Sequence, residues 1–464
     1  MLLPTLSLRS GALSAVVLLS LYSKSKQQNS YMKKTLLLIA TLLTSYVGMA
    51  QETYQPTAEN LKAREQFQDE KFGIFLHWGL YSMMGTTEWI MTNRDINYKE
   101  YPKLAKTFYP SEFDADAWVK AIKAAGAKYI TITTRHHDGF SLFKTATSSY
   151  NSVDGSPFKR DIIKEMADAC QRNGIKLHLY YSHLDWGRED YPVGRTGTGT
   201  GRPKEKANWA SYYKFMNTQL TELLTNYGKV GAIWFDGWWD HDSDAKPFDW
   251  QLEEQYAMIH KLQPQCLVAN NHHHTPFPGE DIQIFERDLP GENKAGLSGQ
   301  SIGRLPLESC QTINEHWGYN ITDTLYKSPK ELIQMLVRAA GKNANLLLNI
   351  GPEPGGALPE LALNRLQAIG KWLNQYGETI YGTRGGIIAP HEWGVSTQRG
   401  NKLYIHILNC MDSSLFIPTG NHKIKSATVF GTNKRVNFTK TGNGITLNFD
   451  TVPTDIDYIV ELTL

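Results

Sequence analysis

The sequence predicts an α/β fold, a (β/α)8 TIM-like barrel followed by a C-terminal all-β sandwich domain. Three observations carry this. Short apolar, β-branched or aromatic runs alternate with helical patterns through the middle of the chain, which argues for a parallel sheet. Seven or eight such units over about 330 residues favour a closed barrel over an open sheet. From about Gly382 the helical patterns stop and short strands with Gly, Asn and Thr turns take over, as expected of a sandwich of about 80 residues.

The first fifty residues read as a leader rather than as fold. Met32-Lys33-Lys34 precedes an apolar run from Thr35 to Val47 and then Gly48-Met49-Ala50, the three-part pattern of a secretory signal peptide cut after Ala50. The run is shorter than the roughly 20 residues that span a bilayer, and no later stretch is apolar for long enough either. The protein is therefore expected to be exported, periplasmic or extracellular. Residues 1–31 stand upstream of a complete signal peptide, which points to Met32 as the true start, with a two-part leader as the alternative.

The expected strands are Phe72–Trp78, Lys128–Thr134, Ile175–Ser182, Val230–Asp236, Cys266–Asn270, Ile282–Glu286 and Asn345–Ile350. The expected helices are Asp114–Ala125, Asp161–Asn173, Ala207–Tyr227, Gln251–Leu262, Pro329–Ala340 and Pro359–Tyr376. Gly174 suits a helix C-cap, and Ser328-Pro329 suits an N-cap with Pro in the first helical position. Gly194–Gly201 reads as a flexible loop. The C-terminal strands are Leu403–Leu408, Lys425–Phe430, Val436–Thr441, Ile445–Phe449 and Tyr458–Leu462. The domains are thus a leader at 1–50, a catalytic barrel at 51–380 and a β-sandwich at 381–464.

Composition narrows the function. The 464 residues carry 48 Lys+Arg against 46 Asp+Glu. The leader holds five of the basic residues and no acidic ones, so without it the balance is 43 to 46, a net of −3. Nothing here offers the basic footprint that nucleic acid requires. Four cysteines are too few for a disulfide scaffold. All 12 Trp lie beyond residue 50, and large flat rings suit stacking against sugars as well as a core.

A barrel places its chemistry at the C-terminal ends of its strands. Here those ends read His77-Trp78, Arg135-His136-His137-Asp138, Tyr180-Tyr181-Ser182, Asp236-Gly237-Trp238-Trp239, Asn270-Asn271-His272-His273-His274 and Glu286. Asp236 and Glu286 each follow an apolar run, where a carboxylate is costly unless it sits satisfied at the rim. Two such acids facing a sugar pocket are the machinery of glycoside hydrolysis; the alternative for each is a helix cap or an ion pair. The histidines could in principle bind a metal, but His136 and His137 point to opposite sides of an extended run and no HExxH or CxxC is present. Imidazoles hydrogen-bonding sugar hydroxyls suit the pattern better. No GxSxG supports a serine hydrolase.

Lys71-Phe72-Gly73-Ile74-Phe75-Leu76-His77-Trp78-Gly79, Glu88-Trp89, His136-His137-Asp138-Gly139-Phe140, Tyr180-Tyr181-Ser182, Trp234-Phe235-Asp236-Gly237 and Asn345-Leu346-Leu347-Leu348-Asn349-Ile350-Gly351-Pro352 together resemble the α-L-fucosidases of glycoside hydrolase family 29, in particular secreted bacterial members. The resemblance implies a retaining exo-α-L-fucosidase acting on fucosylated oligosaccharides or glycoconjugates, with no cofactor and no metal. It implies Asp236 as nucleophile. It implies His77, His136, His137 and Tyr181 on fucose hydroxyls, Glu88 and Trp89 closing the pocket from a loop, and Trp317 against the sugar's methyl group. Glu286 is the expected acid/base and Glu308 its rival. Many members carry an Arg near the end of the fifth strand; this chain has none there, and Asn271 or one of the histidines stands in its place. A fucose-binding protein without activity and an enzyme acting on α-L-galactosides are the alternatives.

Overall fold

A computed structural model describes residues 54–464; the leader and its cleavage site lie outside the described residues. Eight strands form a parallel sheet: β1 Phe72–Leu76, β2 Tyr129–Arg135, β3 Lys176–Ser182, β4 Ala232–Asp236, β5 Leu267–Asn270, β6 Gln283–Glu286, β7 Leu307–Thr312 and β8 Ala344–Ile350. They run in the order β5-β4-β3-β2-β1-β8-β7-β6, and the isolated parallel bridge Ala269↔Ile282 joins the two ends into a barrel. The helices are α1 Ala58–Glu70, α2 Ala115–Ala124, α3 Ile162–Asn173, α4 Trp209–Asn226, α5 Leu252–Leu262, α6 Pro329–Gly341 and α7 Glu360–Tyr376.

Burial follows strand parity. On β4, Ala232 and Trp234 belong to the barrel interior with Phe75, Tyr129, Tyr180, Ile284, Cys310 and Leu347, while Ile233 and Phe235 join the outer core beneath the helices. Two buried faces explain the continuous apolar runs of the central strands. Gly73 has no side chain because the Tyr129 ring occupies the place a Cβ would take, 2.3 Å away. Helix α1 closes the floor of the barrel by inserting Phe67 against Tyr129 at 5.4 Å. It carries few apolar residues and no stripe, which is why periodicity does not reveal it.

Two expectations are corrected. The seventh barrel strand, β7, is absent from the sequence-derived set, and no helix stands between β5 and β6 or between β6 and β7. The two facts share a cause. The 287–306 segment covers β7 in place of a helix, so its outward Ser309 hydrogen-bonds the Asp288 carbonyl at 2.6 Å rather than packing on an apolar face. A strand reading Leu-Glu-Ser-Cys-Gln-Thr then lacks the apolar signal. The caps are as expected: Gly174 has φ +65°, and Ser328 forms a capping box with Glu331 ahead of Pro329, an arrangement that stabilises a helix by about 1 kcal/mol.

The C-terminal domain has strands β9 Arg384–Gly385, β10 Gly394–Arg399, β11 Lys402–Ile407, β12 Ser414–Ile417, β13 Ser426–Val429, β14 Asn437–Thr441, β15 Gly444–Asn448 and β16 Tyr458–Thr463, and stacks a five-stranded antiparallel sheet, β13-β16-β11-β10-β9, on a three-stranded one, β12-β15-β14. Ile405, Ile407, Ile417, Leu447 and Val460 fill the space between the sheets. Gln334 of α6 donates to the carbonyls of Leu408 (3.1 Å) and Ile456 (2.8 Å), tying this domain to the barrel's helical layer.

Candidate active site

The rim of the barrel encloses a cavity of about 180 Å³ lined by Phe75, His77, Glu88, Trp89, His136, Arg195, Trp234, Asp236, Trp239, His273, Glu286, Leu297, Cys310 and Trp317. That volume suits one monosaccharide ring, below the roughly 300–1,000 Å³ of pockets for drug-sized ligands.

Asp236 ends β4 on the inward parity, and Gly237 turns the chain away at φ +95°, a conformation that favours glycine. The Gly237 amide (2.8 Å) and the Trp239 indole N–H (3.0 Å) donate to Oδ1, and the Tyr180 hydroxyl donates to Oδ2 at 3.0 Å. His137 Nε2 stands 3.6 Å from Oδ2. Burial, and then the charge of Glu286, push the Asp236 carboxyl up to about 6. Glu286 ends β6. Its Oε2 accepts from Asn271 Nδ2 at 2.8 Å and from His273 Nε2 at 2.9 Å. Burial raises a carboxyl of this kind, but His273 and Asn271 outweigh it and hold Glu286 below its ordinary value.

Asn271 Nδ2 also reaches Asp236 Oδ1 at 3.4 Å. One amide nitrogen therefore touches both carboxylates. The shared nitrogen keeps Asp236 Oδ1 and Glu286 Oε2 closer together than the roughly 6.5–9.5 Å that inverting glycosidases need for a water.

The walls are aromatic and imidazole. Trp89 stacks on Trp239 with ring centroids 5.5 Å apart, and Trp317 packs against Phe75 and His77. Glu88 is buried, with Oε2 accepting from the Gly318 amide at 2.9 Å, which joins the Glu88-Trp89 loop to the Trp317 loop. The side-chain oxygen of Asn349 lies 2.7 Å from His77 Nδ1. Burial pushes the His77 imidazole down to about 4 and holds His136 and His137 well below their ordinary value, so all three are held neutral, and His77 and His136, which line the pocket, face it as neutral donors and acceptors.

Several expected residues do not reach the pocket. Tyr181 points to the opposite face of β3, where its hydroxyl donates to Gln219 of α4 at 2.7 Å; by the alternation of a strand, the inward neighbour Tyr180 makes the contact with Asp236. Glu308 lies below the pocket, fully buried, with Oε1 accepting from Tyr129 (2.7 Å) and Oε2 from the Trp234 indole (2.9 Å). Burial pushes its carboxyl up to about 7. His137 sits behind the lining, its Nδ1 2.7 Å from Ser182 Oγ. Trp78 packs outside the barrel against Phe113 and Trp118, and Trp238 packs on His272 and His274.

Other residues enter the site without having stood out. The segment around Gly194–Gly201 brings Arg195 over the Trp239 ring at 5.1 Å, and Thr196 fixes it by donating to Asp240 at 2.6 Å. It is thus part of the wall rather than a free loop. The triple-His stretch is divided in use: His272 Nε2 meets Glu280 at 3.0 Å, His273 meets Glu286, and His274 donates its amide to His272 Nδ1 at 2.9 Å.

A family model described as alpha-L-fucosidase matches residues 41–378. The plasma alpha-L-fucosidase of Rattus norvegicus is 30% identical over 400 residues, covering 78% of this chain and 82% of that protein. The structure of alpha-L-fucosidase isoenzyme 1 from Paenibacillus thiaminolyticus superposes with a TM-score of 0.78 at 35% identity, covering 88% of this chain and all of that one. A GH29 alpha-L-fucosidase from Bacteroides thetaiotaomicron, trapped as a covalent intermediate with 2-fluoro-fucosyl fluoride, gives a TM-score of 0.76 at 27% identity, over 89% of this chain and 98% of that one.

Proposed function

This chain belongs to the α-L-fucosidase family, and from that premise we propose how its geometry performs the reaction. It is a retaining α-L-fucosidase that removes terminal α-L-fucosyl groups from glycans. The observation that carries this is the pair Asp236 and Glu286, bridged by Asn271 at the end of a pocket sized for one sugar. Asp236 attacks the anomeric carbon and forms an ester bond to it as the bond to the leaving oxygen breaks. Glu286 gives that oxygen its proton. Glu286 then takes a proton from water, whose oxygen displaces Asp236 with a second inversion. The Gly237 amide, the Trp239 indole and the Tyr180 hydroxyl hold the nucleophile still. The neutral imidazoles of His77 and His136 face the sugar's hydroxyls, and Trp317 offers its methyl group an apolar wall. The substrate is a fucosylated oligosaccharide or glycoconjugate, met outside the cytoplasm after the signal peptide ahead of Gln51 is removed; the support for export is the sequence pattern of residues 32–50.

The test is release of free fucose from aryl fucosides and from linkage-defined fucosyl oligosaccharides. Glu286→Ala is expected to lose activity on the oligosaccharides by about 10²-fold or more while keeping most of it on an activated aryl fucoside, whose leaving group needs no proton. No fucose released from any of these by the intact protein would refute the function. Leaving-group dependence in Glu308→Ala but not in Glu286→Ala would move the acid to Glu308.

A further inference from the structure

The turn after β5 holds a residue in a strained backbone conformation. His273 is one of seven non-glycine residues among the described residues with a left-handed backbone, at φ +64°, a conformation that side-chain-bearing residues rarely adopt. The flanking residues enforce it. His272 is buried and fixed to Glu280 by Nε2, and its Nδ1 accepts the His274 amide, so the chain closes a tight turn with His273 at the tip. The result turns the His273 imidazole back into the pocket wall, with Nε2 2.9 Å from Glu286 Oε2.

That contact is selective for one oxygen. Asn271 and His273 both donate to Oε2, and among the described residues no side chain or amide donates to Oε1. We infer that His273 is a positioning residue for the acid/base. Its N–H fixes Oε2 of Glu286 so that Oε1 alone exchanges the proton with the leaving group, and it stabilises the carboxylate left behind. This rests on the reading of Glu286 as the acid/base. In the first step the Oε1–H bond breaks and the leaving oxygen gains the proton, while the Nε2–H of His273 and the amide of Asn271 stay on Oε2 and share the new negative charge. In the second step Oε1 takes the proton of the attacking water.

The charged groups facing the imidazole are Glu286 from β6, Asp236 from β4 and Arg195 from the β3–α4 loop, with His272 and His274 beside it on its own turn. Burial alone would lower the imidazole; Glu286 and then Asp236 outweigh it and raise it, which favours the protonated ring and keeps Nε2–H in place as a donor.

The experiment compares the full chain with His273→Ala, His273→Gln and Glu286→Ala, each on an activated aryl fucoside and on a fucosyl disaccharide, across pH. His273→Ala is expected to lower kcat/KM on the disaccharide by roughly 10- to 100-fold and on the aryl fucoside by less than about threefold. The limb of the disaccharide profile that Glu286 sets should move to higher pH, because Glu286 without this donor gives up its proton later. His273→Gln restores an N–H donor and should recover most of the loss. Equal losses on both substrates, an unmoved Glu286 limb, or a Gln variant no better than Ala would each overturn the inference. Glu286→Ala separates the two claims. If it shows leaving-group dependence and His273→Ala does not, only the role of His273 fails; if it shows none, the acid/base assignment fails and takes this inference with it.

Discussion

The barrel interior holds carboxylates at two levels, and the difference between them separates chemistry from structure. At the rim, Asp236 and Glu286 line an open pocket, and among the described residues Glu286 keeps one oxygen without a donor. One layer down, Glu308 has each oxygen matched to a single donor, Tyr129 or Trp234, with no space beside it. All three follow or interrupt strand residues in the same way. What differs is whether the side chain ends against solvent-accessible space or against other side chains. A buried carboxyl with both oxygens satisfied fixes the core; one with a vacant lone pair facing a cavity can exchange a proton.

The largest expected effect lies at the rim. Asp236→Ala should lower kcat by something on the order of 10⁴-fold, and added azide should restore turnover with formation of an inverted fucosyl azide; near-normal hydrolysis without azide would erase the contrast between the two levels. Next comes the pair of tyrosines that share β3. Tyr180→Phe removes a donor from Asp236 and is expected to cost about tenfold in kcat, whereas Tyr181→Phe should leave kcat in place and lower stability by about 1 kcal/mol, read from urea unfolding. The reverse result would mean that strand parity had been misassigned.

Glu308→Gln keeps the shape and one acceptor of the lower site. It is expected to destabilise the barrel by roughly 1–3 kcal/mol with the same leaving-group dependence as the parent enzyme. The smallest effect concerns pH. As the proposed nucleophile, Asp236 must be ionised to attack, and its carboxyl stands raised to about 6 by burial and by Glu286, so kcat/KM on an activated aryl fucoside, which needs no proton from Glu286, should fall as pH drops through about 6. Glu286→Gln removes the neighbouring charge and should move that acid limb to lower pH. An unmoved limb would show that the two carboxylates do not sense each other.

Much of this was legible in the chain. The alternation of apolar runs and helical patterns located seven of the eight barrel strands and six of the seven long helices, because both faces of those strands are covered and each helix shows one side to the core. The strand β7 escaped because a loop covers it, and α1 because it closes the barrel floor mainly with one ring, Phe67. Asp236, Glu286, His77, His136, Glu88, Trp89, Asn271 and Trp317 could be named because they sit at strand ends or in motifs of recognisable order.

The sequence by itself determined the architecture and the set of chemical groups delivered to the rim, since hydrophobic periodicity and motif order are local properties. Only the tertiary structure decided which member of each neighbouring pair works there. Tyr180 rather than Tyr181 meets Asp236 because strand parity is read against a barrel interior that exists only once eight strands close. Arg195 joins the site through the path of a loop fixed by Asp240, 44 positions from Thr196, and His273 reaches Glu286, 13 positions away, only through a left-handed turn. Contacts of that range carry no local signal, because the energy that selects them comes from groups that are neighbours in space alone.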